Sequence, residues 1–155
     1  MSSQIVKPSG VIVYFPERCT GCGVCELACA LYHENSCSPG LSRIHLINDS
    51  FGGDHKIEVC VQCSSPSCYH ICPVGAIEIH SETGARYIDE EKCIGCGKCT
   101  EACPLMPEKQ IIRFKKVDKK RIFFKCDLCK DRIEGPICVD LCPAWALEYL
   151  KAGER

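Results

Sequence analysis

The stretch Cys93-Ile94-Gly95-Cys96-Gly97-Lys98-Cys99-Thr100-Glu101-Ala102-Cys103-Pro104 decides the reading of this chain. Its cysteines are separated by two, two and three residues. The same spacing stands at Cys19-Thr20-Gly21-Cys22-Gly23-Val24-Cys25-Glu26-Leu27-Ala28-Cys29. Two looser groups complete a fourfold repeat. One is Cys60, Cys63, Cys68 and Cys72 before Pro73, with its middle gap widened to four; the other is Cys126, Cys129, Cys138 and Cys142 before Pro143, with that gap widened to eight. These groups take 16 of the 17 cysteines and leave Cys37 outside.

So many cysteines in 155 residues signal a scaffold built on cysteine chemistry. The hydrophobic content of 46% counts those cysteines, so the aliphatic core is lean for a chain of this size. Disulfides or metal must supplement it. The start, Met1-Ser2-Ser3-Gln4-Ile5-Val6-Lys7-Pro8-Ser9-Gly10, has neither a charged head with a long apolar core nor a twin arginine, and the first apolar run, residues 11–15, is too short for either a leader or a span. The expected compartment is the cytoplasm. There thiols stay reduced, and dense cysteine points to metal rather than disulfides, as does the odd cysteine count. A net charge of −1 gives no pull towards nucleic acid, and no segment suits membrane insertion.

The spacing has a physical reading. Three cysteines in a tight loop can grip three corners of one iron–sulfur cubane, and Gly21, Gly23, Gly95 and Gly97 let the backbone turn sharply beside it. The fourth cysteine follows a short helical turn and points elsewhere. This is the bacterial ferredoxin run, in which the fourth cysteine serves the other cluster of a pair. Proline after that cysteine ends the turn. Zinc is the competing metal, but structural zinc sites pair two short cysteine couples across a long spacer, not four cysteines in eleven residues. The expectation is therefore four [4Fe–4S] clusters held by Cys19, Cys22, Cys25, Cys29, Cys60, Cys63, Cys68, Cys72, Cys93, Cys96, Cys99, Cys103, Cys126, Cys129, Cys138 and Cys142.

Between the groups lie short strands. Residues 76–80 and 86–89 alternate around Ser81-Glu82-Thr83-Gly84, and residues 111–117 and 121–125 flank Asp118-Lys119-Lys120. Residues 11–15, 44–47 and 57–61 are further strands, and short helices are expected after Gly23 and Gly97. The fold class is α+β: two intertwined modules of bacterial-ferredoxin type. Residues 1–50 give the first half of an outer module, 51–110 an inner module and 111–155 the second half of the outer one.

The run Tyr87-Ile88-Asp89-Glu90-Glu91-Lys92-Cys93 onward and Cys126-Asp127-Leu128-Cys129-Lys130-Asp131-Arg132-Ile133-Glu134-Gly135-Pro136 resemble the four-cluster ferredoxin-like subunits of the dimethyl-sulfoxide-reductase type, over about residues 11–149. His33-Glu34 through Ser42-Arg43-Ile44 is similar to the small electron-transfer subunits that partner tungsten-containing aldehyde oxidoreductases. Two departures stand out: Ala30 follows Cys29 in place of proline, and Trp145 stands where such proteins often carry glycine. The resemblance implies ligand sharing. Cys142 would join Cys19, Cys22 and Cys25, and Cys29 would join Cys126, Cys129 and Cys138. Cys103 would join Cys60, Cys63 and Cys68, and Cys72 would join Cys93, Cys96 and Cys99. It also implies a catalytic molybdenum- or tungsten-pterin subunit as partner, with a further redox subunit, a soluble carrier or other copies of the chain. A relay in a formate dehydrogenase or hydrogenase complex is the neighbouring reading.

Each group offers four thiolates, so no iron need stay open for a substrate. No P-loop, dinucleotide glycine motif or His-Glu-x-x-His motif is present. The chain reads as an electron carrier rather than an enzyme. Cys37 is expected to be a buried or half-buried free thiol. His70 is read as a loop or packing histidine, and Tyr69 and Trp145 as shields of neighbouring ligands. Arg113, Lys115, Lys116, Lys119, Lys120, Arg121 and Lys125 form a basic hairpin, read as a solvated face with docking of an acidic partner as the alternative.

Overall fold

The computed structural model describes residues 7–49 and 51–155. Residues 1–6, part of the stretch searched for a leader, and Ser50, the end of the first expected segment, lie outside them. Among the described residues the elements run β1 (Val11–Tyr14), α1 (Val24–Glu34), β2 (His45–Asn48), β3 (His55–Glu58), α2 (Ser67–Ile71), β4 (Ile77–Ile79), β5 (Arg86–Ile88), α3 (Lys98–Ala102), β6 (Arg113–Val117), β7 (Lys120–Phe124), α4 (Ile137–Asp140) and β8 (Leu147–Leu150). The architecture is α+β, with small antiparallel pairs and short helices.

The elements are short because cysteine loops interrupt them. Strand β3 ends at Glu58, before the expected residue 61, since Cys60 already belongs to a cysteine loop. In the β6–β7 hairpin Lys120 pairs with Val117, so the turn is Asp118-Lys119 alone rather than three residues. Both turn residues have positive φ, 47° and 68°, the geometry that matches strand twist in a two-residue hairpin. Strand β8 was not expected. It pairs antiparallel with β1, Val11 opposite Leu150 and Tyr14 opposite Leu147, and so brings the two ends of the chain together. Another antiparallel pair lies between them in sequence: β4 pairs with β5, Ile77 opposite Ile88. Helix α1 packs on α4 and α2 on α3.

Helix α1 begins after Gly23 and stops at Asn35, whose φ of 52° lets its N–H bond the Leu31 carbonyl at 3.0 Å. Glu26 on this helix is buried and accepts from Leu46 N at 2.7 Å, with His45 Nδ1 at 3.0 Å, which fastens β2 to α1. The core joins Ile12, Ile44, Ile77, Ile88, Ile111, Ile112, Phe123 and Leu147 to buried cysteines of all four groups.

The basic hairpin is not one solvated face. Lys116, Lys119, Lys120 and Arg121 are exposed, as expected. Lys115 instead turns inward to Glu34 Oε2 at 2.6 Å and Glu90 Oε2 at 2.7 Å, where Arg43 Nη2 also meets Glu34 Oε1 at 3.1 Å and Glu90 Oε1 at 2.8 Å. Arg113 donates to the Pro39 and Ser42 carbonyls, each at 3.0 Å. Lys125 is buried. The period-two pattern of β6 drives this split: Arg113 and Lys115 turn to the interior side, Lys115 meeting a carboxylate pair supplied by α1 and by the segment after β5, while Lys116, between Lys115 and the turn, faces solvent.

Burial pushes the Glu34 carboxyl up, but the Lys115 and Arg43 charges overcome it and hold it below its ordinary value of 4.5. A depressed folded-state value makes the stabilisation complete above 4.5 and lost as pH falls through the folded value. Glu34→Gln is expected to cost about 1–3 kcal/mol at neutral pH, because it leaves two partly buried cations sharing Glu90. The same change should flatten the acid-side loss of stability. Anaerobic urea unfolding of the metal-loaded protein at several pH values checks both effects.

Candidate metal centres

Each cysteine loop makes the same turn. The residue before the second cysteine is left-handed in all four groups: Gly21 at φ 69°, Gln62 at 51°, Gly95 at 73° and Leu128 at 58°. Glycine explains two of these, and at Gly95 a Cβ would lie 2.3 Å from the Arg121 carbonyl. At Gln62 the strain is met by the side chain, which is fully buried. Its amide donates to the Cys126 carbonyl at 2.9 Å and accepts from Arg86 N at 2.7 Å. Leu128 is held in place by burial. Neither residue carries a sequence signal for this conformation, and their part in shaping the loops went unread.

The loops bring thiols together from distant segments. Cys93, Cys96 and Cys99 line one cavity with Cys72, among Val74, Ala76, Ile77, Ile88 and Phe123. Cys19, Cys22 and Cys25 line a second with Cys142, beside Tyr14, Ile57 and Leu147. Cys60, Cys63 and Cys68 line a third with Cys103, beside Ile111 and Ile112. Cys29, Cys126, Cys129 and Cys138 are all buried. Cys138 is pushed well above the usual thiol range by burial and then by the neighbouring Cys126, Cys29 and Cys129.

These surroundings test the fit to a metal cluster. Backbone N–H groups point at sulfur: Arg43 to Cys29, Ala76 to Cys72 and Ala146 to Cys142 at 3.3 Å, and Leu128 to Cys126 at 3.4 Å. Such donors stabilise sulfur that carries negative charge. Burial works the other way. It lifts Cys25, Cys99 and Cys129 to about 12, with neighbouring thiols adding to the rise at Cys25 and Cys99. Thiolates in such cavities are stable only against a cation, and iron in a sulfide-bridged cluster supplies it. The donor set fits. His33 adds a neutral neighbour to the last group. Its Nε2 lies 3.7 Å from Cys129 Sγ and 3.4 Å from Asp127 Oδ1, and burial lowers it to about 4 against the pull of Asp127.

Several expectations on flanking residues change. Cys37 is exposed, not buried, because it follows the end of α1 in a surface turn. His70 is exposed and stands on helix α2 rather than in a loop, and Tyr69 is partly buried against the core. Trp145 shields nothing: it is 79% exposed with φ 54°, at the position equivalent to Gly75, three residues beyond the last cysteine of its group. Its ring is held outward because the backbone must turn left-handed there for Ala146 to reach Cys142 Sγ. No helix among the described residues is long and apolar enough to cross a membrane.

Hairpins, left-handed cysteine loops and thiol-lined cavities together define an iron–sulfur electron-transport protein of ferredoxin type. The chain belongs to the 4Fe-4S dicluster domain family, whose pattern matches residues 54–152, and a 4Fe-4S binding domain matches residues 16–32. It is 37% identical to the polyferredoxin-like subunit of an aliphatic sulfonate oxidoreductase from Pyrococcus furiosus, over 97% of this chain and 81% of that one. It is 34% identical to the electron transport protein HydN of Escherichia coli, over 88% of this chain and 85% of that protein. Among solved structures, a chain of the active site complex BamBC of benzoyl coenzyme A reductase shares the fold, with a TM-score of 0.52 at 22% identity, over 93% of this chain and 80% of that one.

Trp145 supplies a test of the shared loop geometry. Trp145→Gly should be more stable than Trp145→Ala by about 1 kcal/mol, since only glycine is free of the left-handed penalty at an exposed site. Anaerobic thermal melts of the two variants give the comparison, and equal melting points would show that the turn is unstrained.

Proposed function

We propose that this chain is a non-catalytic electron-transfer subunit that carries four [4Fe–4S] clusters. It relays electrons between a molybdenum- or tungsten-pterin catalytic subunit and a redox partner. The observation that carries the reading is the mixing of cysteine groups in the cavities. Three cavities are each lined by three cysteines of one group and the fourth cysteine of another. Of the other five, Cys29, Cys126, Cys129 and Cys138 are buried, with Cys138 pushed up by burial and then by the other three.

On this reading Cys142 completes the site of Cys19, Cys22 and Cys25, and Cys29 that of Cys126, Cys129 and Cys138. Cys103 completes the site of Cys60, Cys63 and Cys68, and Cys72 that of Cys93, Cys96 and Cys99. The β1–β8 and β4–β5 pairs, with α1 on α4 and α2 on α3, support an outer module wrapped about an inner one. Divisions near residues 50 and 110 follow from that nesting. A bound [4Fe–4S] cluster supplies a one-electron couple. The chain's part is to cap each with four thiolates, exclude water with Val, Ile and Phe side chains, and donate backbone N–H groups to sulfur. Full capping leaves no site for a substrate, which favours a wire over an enzyme.

A catalytic oxidoreductase subunit as partner is supported by the relative named as a subunit of an oxidoreductase, and the molybdenum- or tungsten-pterin identity rests on the resemblance of the cysteine motifs. Exposed Cys22 and Cys96 give surface points where electrons can enter and leave. The cytoplasm, with its reducing poise, suits a protein with so many thiols.

About 16 iron and 16 sulfide per chain are expected after anaerobic purification, with spectra of interacting reduced clusters by electron paramagnetic resonance. About 12 iron would remove one site, and zinc without sulfide would remove the whole reading. Cys29→Ala should alter the signal that Cys129→Ala also alters, and leave the one altered by Cys22→Ala. Affinity purification under anaerobic conditions should bring down a polypeptide containing molybdenum or tungsten, and absence of both metals would refute that partner.

A further inference from the structure

The four proposed sites are not electrically alike. The cavity of Cys60, Cys63, Cys68 and Cys103 is lined by two cations, Arg86 and Lys125, whereas those built on Cys19 and Cys93 are lined by none. Arg86 is 1% exposed. Its Nη1 donates to the Gly84 carbonyl at 2.7 Å, but Nε and Nη2 are buried with no partner. Two orphaned donors on a buried cation are costly unless something negative faces them. Lys125 is 2% exposed, with Nζ 3.4 Å from Cys60 Sγ, 3.2 Å from the Cys126 carbonyl and bonded to the Arg86 carbonyl. No carboxylate pairs with either cation among the described residues. Arg155 adds a third positive charge at the same loop, donating to the Val61 and Gln62 carbonyls at 2.7 and 2.9 Å.

The site of Cys29, Cys126, Cys129 and Cys138 differs. The guanidiniums that bear on it, Arg43 beside Cys29 and Arg132 beside Cys129, are each paired with carboxylates, Glu34 and Glu90 for the first and Glu134 and Asp140 for the second, and Asp127 stands beside His33. A full positive charge at contact distance in a water-poor cavity acts far more strongly than the same charge at the surface. Taking up an electron from a reductant adds one negative charge to a thiolate-bound cluster, so a facing cation favours the reduced form and raises the potential.

We propose that the site of Cys60, Cys63, Cys68 and Cys103 is the highest-potential centre of this chain, and that Arg86 and Lys125, acting as positioning residues, make it so. This rests on the four-cluster reading above. The consequence is an inner resting place for one electron, where the chain holds charge between encounters with its partners.

The test is an anaerobic redox titration of the iron-loaded full chain, followed by electron paramagnetic resonance and paired with iron analysis. Arg86→Gln and Lys125→Met should each move the most positive wave to lower potential and leave the others in place, while Lys125→Arg restores it. If a variant loses one cluster's iron, the most positive wave should be the one that vanishes. A most positive wave that stays put in both variants, or a shift confined to another wave, overturns the proposal. Fewer than about 16 iron in the unmodified chain would overturn the four-cluster reading itself, so the two failures are distinct.

Discussion

A thiolate cannot be held in an apolar cavity among other thiolates without a cation. That constraint governs this molecule. Cys25, Cys99 and Cys129 are raised to about 12 by burial, and burial pushes Cys126 and Cys138 well above the usual thiol range. The chain nevertheless aims backbone N–H groups at Cys29, Cys72, Cys126 and Cys142, which is useful only if those sulfurs carry charge. Burial and donation are reconciled by iron. The polypeptide can then dispense with long helices and wide sheets, because much of its interior is bridged through metal rather than through aliphatic contact.

The same demand imposes repetition. Four loops must present sulfur to a compact inorganic core, and the four residues before the second cysteine share one handedness although only two are glycine. At Gln62 a side chain replaces the freedom that glycine would give, and its two hydrogen bonds also tie the loop to Arg86 and to Cys126. That single amide therefore couples the second cysteine group to the fourth. Lys125 repeats the link through Cys60 and the Cys126 carbonyl. The polar interior thus joins the second cysteine group to the fourth, while the apolar interior lines the cavities.

Much of the site was legible because ligand spacing is a local property. The gaps between cysteines, and the positive φ of Gly21, Gly23, Gly95 and Gly97, follow from what a short loop must do around a cluster. Most hairpins were legible from alternation, with errors of one to three residues where a cysteine loop truncates a strand. What escaped was set by tertiary contact. Strand β8 has its partner at the other end of the chain, Val11 opposite Leu150, so no turn between the two marks the pair. Lys115 and Lys125 read as members of a surface basic run, because the carboxylates and sulfurs they face come from remote segments. Trp145 read as a shield by its chemistry, whereas backbone handedness turns it outward. Cys37 looked like a core thiol, but the helix it follows has already ended.

The pairing of β1 with β8 bears on how the protein is made. The segment that packs α2 on α3 and pairs β4 with β5 is contiguous in sequence and can close while synthesis is still under way. The outer hairpin cannot, since Val11 must wait for Leu150 to leave the ribosome. Cys19, Cys22 and Cys25 stay without Cys142 for the same interval. On the proposed ligand sets a nascent chain therefore carries reactive thiols at Cys19, Cys22 and Cys25 until Cys142 has emerged, and whatever delivers iron and sulfide finishes that site after those of residues 60–103, although its cysteines appear first.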